Sequence, residues 1–263
     1  MKKVNYHTHT KLCRHAGGTE EDCVNAALAA HLDVLGFSDH APYPDDRLDN
    51  RMRYEELEGH LSAVASLRDQ YQDRLTILTG LEIEYFPEMH DYYQKLREKL
   101  DYLLLGQHYF PAPYPDGERI TVYDTRVQRD DLLHYAKSIE EALATGFFPV
   151  LAHPDVIFIN DIAWDEACEK ASDIIIGAAK RYGVLLEVNA NGLRRGLRSY
   201  SDGERYPYPH PAFWKRAAAA GVTAIVGSDC HNPLSVWDDA IEQTYAMAKT
   251  WGLKLADSFP LYR

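Results

Sequence analysis

The feature that most constrains how this chain can fold is an alternation. Seven short apolar runs, Val4–Tyr6, Val34–Phe37, Leu75–Leu78, Tyr102–Leu105, Pro149–Ala152, Val184–Val188 and Val222–Val226, are separated by longer amphipathic stretches. Each run is too short for a helix and rich in Val, Ile, Leu or Tyr, as a strand buried on both faces would be. The stretches between them read as helices over approximately Glu20–Ala30, Tyr54–Tyr71, Glu88–Leu100, Arg129–Thr145, Asp165–Tyr182, His210–Ala220 and Val236–Trp251. Thr19 ahead of Glu20, Glu21 and Asp22 fits an N-cap with acids in the first turn. Gly146, Gly183, Gly221 and Gly252 each follow a helical stretch, where a left-handed residue is favoured. The alternation predicts an α/β fold of seven βα units around a parallel sheet. No Pro/Ser/Gly linker divides it, so a single domain over residues 1–263 is expected. A closed or nearly closed barrel is favoured over an open doubly wound sheet, although periodicity alone does not separate the two.

Composition excludes several classes. With 46% hydrophobic residues in 263, a large core can form and wholesale disorder is ruled out. A net charge of −12 argues against a general polyanion binder, so nucleic acid is not the expected partner. No run approaches the ~20 apolar residues that span a bilayer, and the first residues lack the apolar core of a signal peptide. Four cysteines without a CxxC pair do not make a disulfide scaffold. The reading is a soluble, cytoplasmic, reduced protein without a membrane partner; a homo-oligomer is left open.

The chemistry follows the strands. The runs lead into His7-Thr8-His9, Ser38-Asp39-His40, Thr79-Gly80-Leu81-Glu82, Gly106-Gln107-His108, His153-Pro154-Asp155 and Gly227-Ser228-Asp229-Cys230-His231. In a parallel barrel these carboxyl ends converge on one face. Residues two apart on a strand point the same way, so His7 and His9 can grip one ion. Spacing alone is weak: twelve histidines produce such pairs by chance. Glu58-Gly59-His60 and Glu88-Met89-His90 show acid-x-His spacing inside helical stretches, where solvated surface residues are expected.

Taken singly, His40, His108, Glu82 or Asp229 each has an ordinary structural explanation. Taken together they do not. His7, His9, His15, His40, His108, His153 and His231 with Glu82 and Asp229 on one face would cost several kcal/mol per buried charge without a compensating cation. Mixed imidazole and carboxylate donors suit Zn, Mn or Fe rather than Mg or Ca. Nine ligands exceed one ion, so two or three are implied, and Glu82 can bridge two of them. Cys13 near His15 is the one thiol kept in reserve. Asp39 and Asp155 are either carboxylates that orient imidazoles or plain turn residues.

Such a site can make hydroxide from water near neutral pH and neutralise phosphoryl oxygens, so hydrolysis of a phosphate ester or an amide-like bond is expected. Phosphate is favoured by Arg194, Arg195 and Arg198 after the sixth strand, because arginine forks match phosphate oxygens. They could equally balance surface acids. Arg14, beside His15, is a further candidate.

Together these motifs resemble the polymerase and histidinol phosphatase (PHP) family over essentially the whole chain. The resemblance implies a distorted seven-stranded (β/α)7 TIM-like barrel and a trinuclear centre of divalent transition-metal ions. It implies one ion on His7, His9, Glu82 and Asp229, a second on His15, His40 and His231, and a third sharing Glu82 with His108 and His153. Ser38-Asp39-His40-Ala41-Pro42 and Asn191-Gly192-Leu193-Arg194 look most like monofunctional histidinol-phosphatases. That implies a phosphomonoesterase of histidine biosynthesis, converting L-histidinol phosphate to L-histidinol and phosphate by a metal-bridging hydroxide. Arg194 or Arg198 would hold phosphoryl oxygens, and Asp155 would be the proton donor to the leaving alcohol. The alternatives are a broader phosphoesterase or nuclease acting on sugar or nucleotide phosphates, and a non-catalytic metal-binding module serving a partner protein.

Overall fold

A computed structural model describes residues 2–110 and 119–262. Eight strands form one parallel sheet: β1 (Val4–Asn5), β2 (Val34–Phe37), β3 (Thr76–Ile83), β4 (Tyr102–Leu105), β5 (Val150–Leu151), β6 (Leu185–Asn189), β9 (Thr223–Gly227) and β10 (Lys254–Leu255), in that order. A two-stranded hairpin, β7 (Arg198–Tyr200) with β8 (Gly203–Arg205), leaves the sheet between β6 and β9. The sheet curls into the expected distorted barrel. Past the ends of β1 and β9 the two segments pair, with Thr8 bridged to Cys230 and His9 N donating to the Cys230 carbonyl at 3.0 Å. Among the described residues no helix is long and apolar enough to cross a membrane.

The helices are α1 (Glu20–Ala29), α2 (Leu57–Tyr71), α3 (His90–Arg97), α4 (Asp131–Ala144), α5 (Glu166–Tyr182), α6 (Asn191–Arg194), α7 (Pro211–Ala220) and α8 (Asp239–Thr250). Their ends follow local chemistry. The Thr19 hydroxyl accepts from Asp22 N while Asp22 accepts from Thr19 N, a reciprocal cap on α1. α8 starts three residues later than the periodicity suggests, because the Asp238 carboxylate accepts from Ile241 N and caps it there.

Period-two alternation sorts the strand residues into two cores. Leu103 and Leu105 of β4, Leu81 and Ile83 of β3, and Ala224 and Val226 of β9 face the helices. Val4, Tyr6, Tyr102, Leu104, Val150 and Ile225 fill the barrel interior. Tyr102 is the more deeply buried of the two interior tyrosines, and its hydroxyl lies 2.7 and 2.8 Å from the carbonyls of Tyr6 and Phe37. Gly36 and Gly80 make room for it: a Cβ would stand 2.3 Å from its hydroxyl at Gly36 and 2.4 Å from its ring at Gly80.

Three expectations need correction. The third strand runs to Ile83 rather than ending at Leu78, so Glu82 lies within it. The sheet holds an eighth strand, β10, a run too short and too polar to read as one. His60 is buried, not solvated, with Nδ1 2.7 Å from Glu20 of α1.

The packing around Tyr102 predicts opposite effects for two glycines. Gly80→Ala should destabilise the fold by about 1–3 kcal/mol, because an aromatic ring cannot yield in a full core. Gly59→Ala, in α2 with nothing within 4 Å of the new methyl, should be neutral or stabilising by up to ~1 kcal/mol. Denaturant midpoints of the two variants check this; equal shifts would contradict the interior placement of Tyr102.

Candidate metal centre

The centre is built on β3. Its alternation turns Glu82 and Glu84 inward between Leu81 and Ile83, which face out. Glu82 is buried, and imidazoles surround it. His40 Nδ1 lies 2.9 Å from Oε2, His153 Nε2 lies 2.7 Å from Oε1, and His7 and His9 Nε2 lie 3.4 and 3.5 Å from Oε2. His108 Nε2 is 3.8 Å from Oε1. Asp229 closes the other side, with Oδ1 3.2 Å from His9 Nε2 and 3.7 Å from His7 Nε2. His15 and His231 complete the group, their Nε2 atoms 3.0 Å apart.

Second-layer carboxylates set the ring orientations. His7 Nδ1–H donates to Glu187 at 2.8 Å and His108 Nδ1–H donates to Glu84 at 2.9 Å, which turns each Nε2 toward Glu82. His15 and His231 donate from Nδ1 to the carbonyls of Cys13 and Asp229, which turns their Nε2 atoms toward each other. Asn189 and Asn191 each donate to Asp229 Oδ2 at 3.2 Å. Two motif glycines make this crowding sterically possible. A Cβ at Gly227 would come within 1.8 Å of Glu187, and one at Gly106 within 2.0 Å of Glu82. Strain is stored here too: Asp229 and His153 hold φ of 51° and 29°, positions that favour glycine.

The donors fit divalent ions. Buried His7 Nε2, His9 Nε2 and Glu82 Oε2 lack hydrogen-bond partners. Their separations match the ~3.4 Å between ligands about 2.1 Å from a tetrahedral ion. Among the described residues, triads such as His7–His9–Glu82 and His9–His40–His231 converge, and Cys13 lies close to His15 and His231. Electrostatics agree. Burial alone would raise the pKa of Glu82, yet His7, His40 and His108 hold it well below the usual range. Asp229 behaves likewise: burial would raise its pKa, but His7, a hydrogen bond with His9, and His231 hold it well below the usual range. Burial pushes His9 down to about 3, so it is neutral. Burial also opposes charge on His7, but Glu187, Glu82 and Asp229 overcome that and raise its pKa well above the ordinary value.

A cleft of about 510 Å³ opens above this floor, with His40, His108, Asp229 and His231 at its base and Asp49, Arg51, Tyr123 and Arg195 on its walls. Most of the polar residues expected to act on substrate lie elsewhere. Arg194 is tied to the Ser228 carbonyl at 2.6 Å and to Asp238 at 2.8 Å, so it braces the Asp229 loop instead of binding phosphate. Arg198 stands exposed on β7, and Arg14 pairs with Glu56. Asp155 is fully buried and accepts from His210 N and Trp214 Nε1, so it cannot donate a proton in the cleft. Neither Asp39 nor Asp155 orients an imidazole; Asp39 accepts from the backbone and hydroxyl of Thr10 and steadies the loop after His9.

A family model described as the PHP domain matches residues 5–191. The chain belongs to the PHP domain family. Among PHP relatives, a Deinococcus radiodurans protein named "Probable histidinol-phosphatase" is 27% identical over 90% of each chain. A Schizosaccharomyces pombe protein of the same name is 23% identical over 89% of this chain and 82% of its own. In fold, the chain is similar to a histidinol phosphate phosphatase from Lactococcus lactis complexed with Zn, L-histidinol and phosphate. The TM-score is 0.74 at 16% identity, covering 98% of this chain and 97% of that one.

Within this PHP site, Glu187, Glu84 and Arg51 are residues that the sequence pattern did not single out. A signal existed for the first two. Glu187 interrupts the apolar run Val184–Val188, and Glu84 follows Glu82 by the two residues that return a strand to the same face. Arg195 was in view but indistinguishable from Arg194 without the turn of α6.

Glu187→Gln keeps an acceptor for His7 but removes the charge, and should weaken metal affinity by about 10–100-fold; chelator-competition titration reads this, and unchanged affinity would remove the role. Because His7 carries a proton that an ion must displace, whereas His9 carries none, apparent affinity should rise with pH across the neutral range. Release of about one proton per bound ion at that position is expected. Calorimetry in buffers of different ionisation enthalpy measures it.

Proposed function

We propose that this protein hydrolyses L-histidinol phosphate to L-histidinol and phosphate, using three divalent transition-metal ions, Zn, Mn or Fe. It is a PHP-family hydrolase of the phosphoric monoester class. The observation that carries the reading is the convergence of seven imidazoles and two carboxylates at the floor of an open cleft with an arginine on its wall. The names of the relatives support the substrate.

His7, His9, Glu82 and Asp229 would hold one ion, His15, His40 and His231 a second, and Glu82, His108 and His153 a third. Bound there, the ions would supply Lewis acidity and an activated water. The chain supplies the rest. Glu187 and Glu84 keep His7 and His108 in the tautomer that ligates. Arg195 would receive the phosphoryl group. Its guanidinium lies 5.4 Å from the Tyr123 ring centre and 5.8 Å from that of Tyr208, and its Nε donates to the Tyr208 hydroxyl. Its terminal nitrogens have no protein partner among the described residues, which leaves them for two-point contact with phosphate oxygens.

The test is metal analysis of the purified protein beside phosphate release from a panel of L-histidinol phosphate, nucleoside monophosphates, sugar phosphates and an aryl phosphate. Expected is the highest kcat/KM for L-histidinol phosphate, lost on chelation. An even response across the panel would leave a phosphomonoesterase without that substrate. Arg195→Ala should lower kcat/KM by about 10–100-fold, the loss of a charge-assisted hydrogen-bond pair. His7→Ala should abolish turnover and lower bound metal with the circular dichroism spectrum retained.

A further inference from the structure

The cleft is asymmetric in charge. Arg195 follows β6 and Asp49 follows β2, strands four places apart in the eight-stranded order, so the two side chains sit on different walls of the mouth. Arg51, the other cation of the cleft, is already committed: it donates to the Ala41 carbonyl at 3.3 Å and lies 3.5 Å from Glu84. Of the acids around Asp49, Asp45 is engaged with Arg47, Glu56 with Arg14 and Glu84 with His108, and Asp46 does not line this cleft.

The Asp49 carboxylate differs. It has no ion pair or hydrogen bond among the described residues, while its backbone carbonyl accepts from the buried Arg51 at 3.4 Å. The next residue, Asn50, holds φ of 53°, a left-handed turn kept in place by that anchor. The backbone is thus anchored, and an exposed, unpaired carboxylate lines the wall of a cleft that Tyr109 and Tyr123 also line. A carboxylate beside aromatic faces is the chemistry that recognises an organic cation.

We propose that Asp49 makes the cleft selective for phosphate esters whose leaving alcohol carries an ammonium group. The proposal rests on the phosphatase reading above and specifies its substrate class. With the phosphoryl group held between the floor and Arg195, the leaving group extends toward the Asp49 wall, where its ammonium finds the free carboxylate. A neutral or anionic alcohol gains nothing there, and an anionic one is repelled.

The experiment compares L-histidinol phosphate with its N-acetyl derivative, the same ester without the cation, as kcat/KM on the metal-loaded enzyme. The wild type should prefer the amine. Asp49→Asn should lower that preference about fivefold, chiefly through KM, as for a partly exposed ion pair, and Asp49→Lys should reverse it. Asp46→Asn, whose side chain lines the adjoining cleft only, should keep the wild-type ratio. If both esters are hydrolysed and Asp49→Asn leaves the ratio unmoved, Asp49 is not the determinant and the phosphatase reading stands. If the wild type releases phosphate from neither ester, the reading itself fails and the proposal with it.

Discussion

The structure depends on one buried carboxylate. Glu82 sits in the interior of a parallel barrel, ringed by His7, His9, His40, His108 and His153 and facing Asp229. A lone charge there would be prohibitively costly. It is tolerable because each surrounding imidazole presents a nitrogen to it and because the whole set can share cations. The same neighbourhood that keeps Glu82 ionised gives it the anionic oxygens that a divalent ion would take, so burial and chemistry have a common cause.

The barrel provides the positions and the apolar core provides their precision. Tyr102 and its neighbours plug the interior below the site, while the helix-facing core fixes each strand from outside. Above the plug, the loops carry ligands that two glycines allow to crowd together. Gly106 and Gly227 do for the carboxylates of Glu82 and Glu187 what Gly36 and Gly80 do for Tyr102. In each case close approach of a rigid or charged group requires that no Cβ be present. This gives a physical reason for glycine ahead of Gln107-His108 and of Ser228-Asp229.

Much of this was legible in the residues. The apolar runs located seven of the eight sheet strands, and the polar residues that follow them pointed to the barrel mouth. The His and acid residues of the candidate site could be named because their joint presence at strand ends has no inexpensive alternative explanation. The arginines could not be sorted that way. Arg194 and Arg195 are adjacent, yet a single step around α6 sends one to Asp238 and the other to the cleft. Asp155 next to His153 suggested catalysis, but the turn after β5 folds it inward onto Trp214.

The sequence by itself determined what repeats along the chain: strand and helix periodicity, the acid excess, and a ligand type at the end of nearly every strand. These are local, and a local pattern is readable because period and residue chemistry act over a few positions. Only the tertiary structure decided which polar groups share a space. Glu187 reaches His7 across 180 positions, Glu84 reaches His108, and Asp49 has no side-chain partner among the described residues while Asp45 and Glu56 are engaged. Those pairings follow from the curl of the sheet and the exit angles of its loops, which sequence spacing does not encode.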